Sequence, residues 1–138
     1  MQRPSRTGGL RHVALFVEKL EDCVKFYTDL LGMEIEWQPD ADNYYLTSGN
    51  DNLALHRWSS DGSAPAAVRG GGQRLDHIGF IIDKIDDVDV WHEFLVENKV
   101  QILKAPKTHR DGARSFYCAD PDGTLVQVIF HPPISGKA

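Results

Sequence analysis

Polar and apolar residues alternate over residues 10–17, where Val13, Leu15 and Val17 form one row and His12, Ala14 and Phe16 the other. A period of two predicts a strand with two chemically different faces. The period then changes. Cys23, Phe26, Tyr27, Leu30 and Leu31 follow the i, i+3, i+4, i+7, i+8 spacing of a helix with one buried stripe, entered through acidic Glu21 and Asp22 and stopped at Gly32. Three more strands are expected at residues 33–38, 44–47 and 52–58, separated by the turn-forming stretches 39–43 and 48–51. The order is βαβββ, with the helix on the aliphatic row and the His12 side left to line a cavity.

The pattern then repeats. Residues 75–87 match 10–22 without a gap and place His77 on His12, an offset of 65. Two copies are too few for a solenoid. The second copy continues through a helix at 86–98, with Val88, Trp91 and Leu95 inward, and strands at 100–103, 114–118 and 124–131, the last two joined by the turn Asp120-Pro121-Asp122-Gly123. Matching 45–47 to 116–118 and 53–55 to 124–126 places His56 on Gln127, an offset of 71, and assigns the six-residue difference to 105–113. The expected fold is α+β: two tandem βαβββ modules, 10–58 and 75–132, form curved mixed sheets around a cleft with helices on the outer faces. The modules make one domain, joined by a Gly-rich linker at 59–74.

The repeat singles out His12, His77, His56 and Gln127, each the polar member of an apolar strand. One histidine in a strand is ordinary; four polar groups at matching places suggest a metal site, because imidazole and an amide oxygen are ligands for Zn, Ni, Fe, Co or Mn. Ala14 and Gly79, two residues after the leading histidines, leave room above the sheet. Tyr117, alongside Gln127, reads either as a hydrogen-bond donor to a bound oxyanion or as a core tyrosine with a satisfied hydroxyl. His131 follows Gln127 on the same face, His92 reads as a surface helix residue, and the basic stretch 104–114 reads either as a clamp for an anionic group or as a solvated loop.

Composition narrows the classes. With 138 residues the chain is long enough for a core without disulfides, and Cys23 and Cys118 read as buried apolar residues in a reducing compartment. A net charge of −5 argues against a nucleic-acid partner. No apolar run approaches the ~20 residues of a membrane span, and none follows the polar start, so a cytoplasmic protein without membrane association is expected.

The duplicated βαβββ pattern, the Leu-x-His openings, Phe26-Tyr27-x-x-Leu30-Leu31-Gly32-Met33 and Asp120-Pro121-Asp122-Gly123 resemble the vicinal oxygen chelate superfamily of glyoxalases, bleomycin-resistance proteins and extradiol dioxygenases. The resemblance spans about residues 10–132. It implies a small metal-dependent enzyme acting on a substrate with vicinal oxygens, of lyase, isomerase or dioxygenase type, and frequently a homodimer. It carries the metal-ligand role onto His12, His56, His77 and Gln127. A metal-free small-molecule binder of the bleomycin-resistance type is the alternative. Where glyoxalase I and the dioxygenases have a carboxylate this chain has Gln127, which cannot accept a proton at neutral pH. The chain is therefore expected to be neither an efficient glyoxalase I nor a conventional extradiol dioxygenase, and His56 reads either as the remaining base or as a neutral, hydrogen-bonded strand histidine.

Overall fold

The computed structural model describes Pro4, Gly8 and residues 10–58 and 75–136; the expected linker at 59–74 lies outside the described residues. The chain divides into two compact units, Met1–Pro65 and Ala66–Ala138. The first contains β1 (His12–Val17), α1 (Leu20–Lys25) running on into a π-helical turn (Phe26–Leu30), β2 (Glu34–Asp40), β3 (Asn43–Thr47) and β4 (Asn52–Arg57). The second contains β5 (Ile78–Ile81), α2 (Asp87–Glu97), β6 (Ile102–Thr108), β7 (Arg114–Ala119) and β8 (Leu125–Phe130). Each is a βαβββ module with a four-stranded mixed sheet, ordered β1-β4-β3-β2 in one and β5-β8-β7-β6 in the other. The first strand pairs parallel to the last, and the rest are antiparallel.

The alternation read in the sequence sorts the faces. In β1, His12, Ala14 and Phe16 are exposed, Val13 and Leu15 half-buried and Val17 buried. Val13 and Leu15 stand beside Leu53 and Leu55, both buried, in the parallel register with β4. The helix packs on β4 and contributes Leu20, Cys23, Val24, Phe26 and Tyr27 to the core. Leu30 and Leu31, expected inside, are only half-buried. The Leu31 amide donates to the Phe26 carbonyl (3.1 Å), the i→i−5 bond of a π turn, while Thr28 Oγ1 donates back to Val24 O (2.7 Å) and competes within the helical ladder. Gly32, at φ 81°, then reverses the chain, a conformation open to glycine at little cost.

In the second unit Val126 and Val128 pair with Ile78 and Phe80, and with Cys118 and Phe116, across three strands. Phe116, Cys118, Val126, Val88 and Leu95 are wholly inaccessible, whereas Trp91 is half-buried. Burying each large apolar side chain contributes about 1.5–3 kcal/mol. His92, expected at the surface, is half-buried with its ring 5.3 Å from that of Phe116. The 120–123 turn closes as read: Asp120 Oδ1 accepts from the amides of Asp122 (2.9 Å) and Thr124 (2.8 Å), and Gly123 takes φ 89°.

The edge strands reveal a second layer of duplication. On β2 the register advances from Ile35↔Leu46 to Trp37↔Tyr45 and then to Asp40↔Asn43. On β6 it advances from Ile102↔Cys118 to Lys104↔Tyr117 and then to Lys107↔Ser115. Each step adds one residue to the edge strand, so both copies carry two bulges at the same two places. β6 is correspondingly longer than the expected 100–103 strand, and only 109–113 form the hairpin connection.

These registers correct the repeat alignment in the last strand. Ala14 pairs with Ala54 and Gly79 with Gln127, while Tyr45 pairs with Ala54 and Tyr117 with Gln127. Gln127 therefore corresponds to Ala54, an offset of 127 − 54 = 73, and His56 corresponds to Ile129. His56 stands two residues further along its strand than the repeat alignment implied.

Candidate functional site

The polar face of the first unit carries His12 beside Asn52 on β4 and His56 beside Asn43 on β3, each pair directly opposite in the register. Cross-strand neighbours have Cβ atoms about 4.5–5.5 Å apart, and both pairs hydrogen-bond. His12 Nδ1 lies 2.7 Å from Asn52 Oδ1 and His56 Nδ1 lies 2.6 Å from Asn43 Oδ1. The amides are themselves oriented: Asn52 Nδ2 donates to Glu36 Oε1 (3.2 Å), and Asn43 Nδ2 donates to Asp40 Oδ1 (2.8 Å) and Oδ2 (3.0 Å). A carboxylate only accepts, so each amide nitrogen must face it and each amide oxygen the imidazole. Nδ1 of both histidines is then the protonated nitrogen, and Nε2 keeps its lone pair.

Aromatic rings surround His56. Phe16 and Tyr45 lie 5.7 and 5.8 Å from it, Trp37 stacks on Tyr45 at 4.9 Å, and Trp58 meets Phe16 at 6.0 Å. Trp37 is 58% exposed and Phe16 42% exposed. The first bulge of β2 carries Trp37 onto this face beside Tyr45; an unbulged strand would leave it on the core side with Ile35.

In the second unit His77 precedes β5, and its Nδ1 lies 2.6 Å from Asp76 Oδ1. This imidazole too is left with Nε2 as its free lone-pair nitrogen. Its ring stands edge-on to Tyr117 at 5.2 Å, and Lys104 Nζ lies 5.5 Å from the centre of the Tyr117 ring. Gln127 Nε2 donates to Ser115 Oγ (3.2 Å), which also meets His109 Nε2 (3.3 Å). The other amide atom, Oε1, lies over Gly79, 3.7 Å from where a Cβ on that residue would sit.

The basic stretch is divided in its roles. Arg114 is paired with Asp89 through two 2.8 Å hydrogen bonds, which hold that carboxyl below the usual carboxylate range. Lys107, His109 and Arg110 line an open concavity of about 580 Å³ with Thr108 and Asp111. His131 serves the backbone: its amide donates to Ser135 Oγ (2.7 Å) and its carbonyl caps the turn that follows β8.

Among the described residues, no three His, Cys, Asp or Glu side chains gather into a metal-binding group. The structure does place His12 and His56 on one sheet face, and His77, Gly79, Tyr117 and Gln127 on another. Asn43, Asn52, Glu36, Asp40, Asp76 and Ser115 escaped sequence reasoning. Asp76 is adjacent to His77 in the chain and was legible; the asparagines border stretches that read as turns.

A model of the Glyoxalase/Bleomycin resistance protein/Dioxygenase superfamily matches residues 9–128. The chain belongs to that superfamily. Within it, metallothiol transferase FosB of Staphylococcus epidermidis is 28% identical over 119 residues, covering 86% of this chain and 79% of the relative. A 1,2-dihydroxynaphthalene dioxygenase of Sphingobium xenophagum is 27% identical over 122 residues, 85% of this chain but 39% of that protein. The crystal structure of lactoylglutathione lyase from Agrobacterium tumefaciens superposes with a TM-score of 0.73 at 20% identity, covering 94% of this chain and 98% of the other. Superfamily membership fixes the tandem fold; the three names span a transferase, a dioxygenase and a lyase, so the reaction must be argued from the side chains. No helix of the described residues is long and apolar enough to cross a membrane.

Proposed function

We propose that this protein is a small metal-dependent enzyme acting on a substrate with vicinal oxygens. His12 Nε2, His77 Nε2 and Gln127 Oε1 are the proposed ligand atoms for a divalent ion, and His56, two residues further along its strand than the repeat alignment implied, is the proposed base. The observation that carries this reading is shared by all four groups: the nitrogen that cannot ligate is engaged by an oxygen of the protein, at 2.7 Å for His12, 2.6 Å for His56, 2.6 Å for His77 and 3.2 Å for Gln127. Two imidazoles and an amide oxygen are all neutral and suit Zn, Ni, Fe, Co or Mn. The negative charge lies one hydrogen bond or more further out, on Glu36, Asp40 and Asp76.

A bound ion supplies Lewis acidity to chelated substrate oxygens. The side chains do the rest. Gln127 cannot take a proton, so proton transfer falls to His56, whose Nε2 accepts while Nδ1–H remains on Asn43. The Tyr117 hydroxyl donates to a developing oxyanion. This division favours reactions that polarise a substrate oxygen toward an incoming nucleophile, as the transferase relative's name suggests, over those needing a carboxylate in the ligand position. The edge strands β1 and β5 and the reduced cysteines support a homodimer in the cytoplasm as the working form.

Protein purified without chelators or metal-affinity resin should contain or take up a divalent ion, and His12→Ala or His77→Ala should each weaken that binding at least about tenfold in calorimetric titration. The exposed rings of Phe16 and Trp37 beside His56 favour the second reading, a metal-free binder of flat aromatic compounds. Absence of metal uptake together with quenching of Trp37 fluorescence by such a compound would establish it instead.

A further inference from the structure

We propose that Asn52 and Asn43 are positioning residues, each locked by a carboxylate, that hold His12 and His56 in the Nδ1–H tautomer before any ligand arrives. The proposal deepens the metal reading but does not depend on it, because it concerns the protein alone. An asparagine by itself does not select a histidine tautomer. Its side chain can rotate by half a turn and offer either its oxygen, which requires Nδ1–H, or its NH2, which requires a bare Nδ1. What removes the ambiguity is the third residue of each relay.

Glu36 accepts from Asn52 Nδ2 at 3.2 Å and Asp40 accepts from Asn43 Nδ2 at 2.8 Å. Reversing either amide would bring an amide oxygen against a carboxylate and an NH2 against the imidazole, exchanging two hydrogen bonds for repulsion at one end. Asp40 is held in turn by the Asp42 amide, which donates to its Oδ1 (2.8 Å). Glu36 is the extra residue of the first β2 bulge, between Ile35↔Leu46 and Trp37↔Tyr45, and a bulge re-aims the side chain it inserts. The relays run Glu36–Asn52–His12 and Asp40–Asn43–His56. Neither exists in the second copy: the registers put Leu103, Leu125 and Ile129 where the first has Glu36, Asn52 and His56.

The test is the tautomer itself, read from two-bond ¹⁵N–¹H correlations of the ring nitrogens in the metal-free full chain, at a pH where the imidazoles are neutral. Wild-type His12 and His56 should both show the Nδ1–H pattern. Glu36→Gln, isosteric at an exposed position, should shift His12 toward a mixture and leave His56 unchanged; Asp40→Asn should do the reverse. The double variant Asn52→Asp with Glu36→Gln reverses the relay so that the glutamine amide donates to an obligate acceptor, and should preserve Nδ1–H at His12. Asn52→Leu should release it and, where metal binds, weaken binding by about 10- to 100-fold. An Nε2–H pattern at wild-type His12 or His56, or a His12 pattern unmoved by both Glu36→Gln and Asn52→Leu, overturns the proposal. Nδ1–H in a wild-type protein that takes up no metal would refute the metal reading and leave the relays standing.

Discussion

Gly79 separates the demands of the fold from those of the site. It is not among the residues with positive φ, so its backbone accepts any L-residue. A Cβ there would meet Gln127 Oε1 at 3.7 Å, Ile129 Cγ2 at 3.8 Å and Gln127 O at 3.9 Å, all ordinary contacts. Gly79→Ala should therefore leave Gln127 in place and, by restricting the unfolded chain, stabilise the protein by about 0.4–1 kcal/mol. Valine differs in kind. Its γ carbons lie ~1.5 Å beyond Cβ and fill two of the three staggered positions, so one directed at Oε1 would approach to roughly 2.2 Å. The Gln127 amide must then swing away, and metal affinity should fall by about 10- to 100-fold while the fold persists. Urea denaturation of both variants and calorimetric titration with a divalent ion make the comparison. A Gly79→Val protein that binds metal as tightly as wild type would refute the assignment of Oε1 as a ligand atom, and a destabilised Gly79→Ala would refute the account of the strand.

Four further outcomes are expected. Phe116→Ala removes a wholly buried ring packed on His92 and should cost about 3–5 kcal/mol in urea unfolding. Asp89 is held below the usual carboxylate range first by its hydrogen bond from Arg114, so its contribution to stability is present above pH ~4 and is lost as pH falls through its folded value; Asp89→Asn should lower the urea midpoint at pH 7, and the deficit should shrink as the solution is made progressively more acid, so a deficit that stays constant with pH would refute the linkage. Burial, and then Asp120, pushes the Cys118 thiol up to about 12, so a thiol reagent at pH 8 should label it only at the rate of unfolding; immediate labelling would contradict the packing. Metal-loaded protein should turn over neither a hemithioacetal nor a catechol at rates normal for enzymes, since Gln127 removes the carboxylate base from the first reaction, a loss that costs about 10²- to 10⁴-fold, and a unit of ligand charge from the second; Gln127→Glu should raise whichever activity the pocket admits.

Fold was legible in the sequence because both of its periodicities are strong: the alternation of residues 12–17 turns half-buried Val13 and Leu15 and buried Val17 away from exposed His12, Ala14 and Phe16, and Cys23, Phe26 and Tyr27 of the helical stripe are buried. Register was not. Aligning His56 with Gln127 slipped the last strand by two residues, and a slip of two returns every side chain to its own face, so no hydrophobic pattern could expose it. A slip of one would have been obvious. The polar relays were hidden for a different reason: Glu36, Asn52 and His12 meet only across strands, Asn52 lying 16 residues from Glu36 and 40 from His12 in the chain. Pairing of His12 with Asn52 and of His56 with Asn43 is a cross-strand fact, the partners standing 40 and 13 residues apart in the chain.

The paired bulges of β2 and β6 also bear on how the protein keeps to itself. An edge strand offers a row of backbone donors and acceptors to any passing strand, and a regular one can be extended without limit into an aggregate. β2 and β6 lie at sheet edges, and each combines two register breaks with a proline, Pro39 or Pro106. An incoming straight strand could match such an edge for only two or three residues before its hydrogen bonds fell out of step. The duplication that built the fold thus copied a safeguard with it, and straightening either edge by deleting a bulged residue, with its proline replaced, should be felt first as loss of solubility.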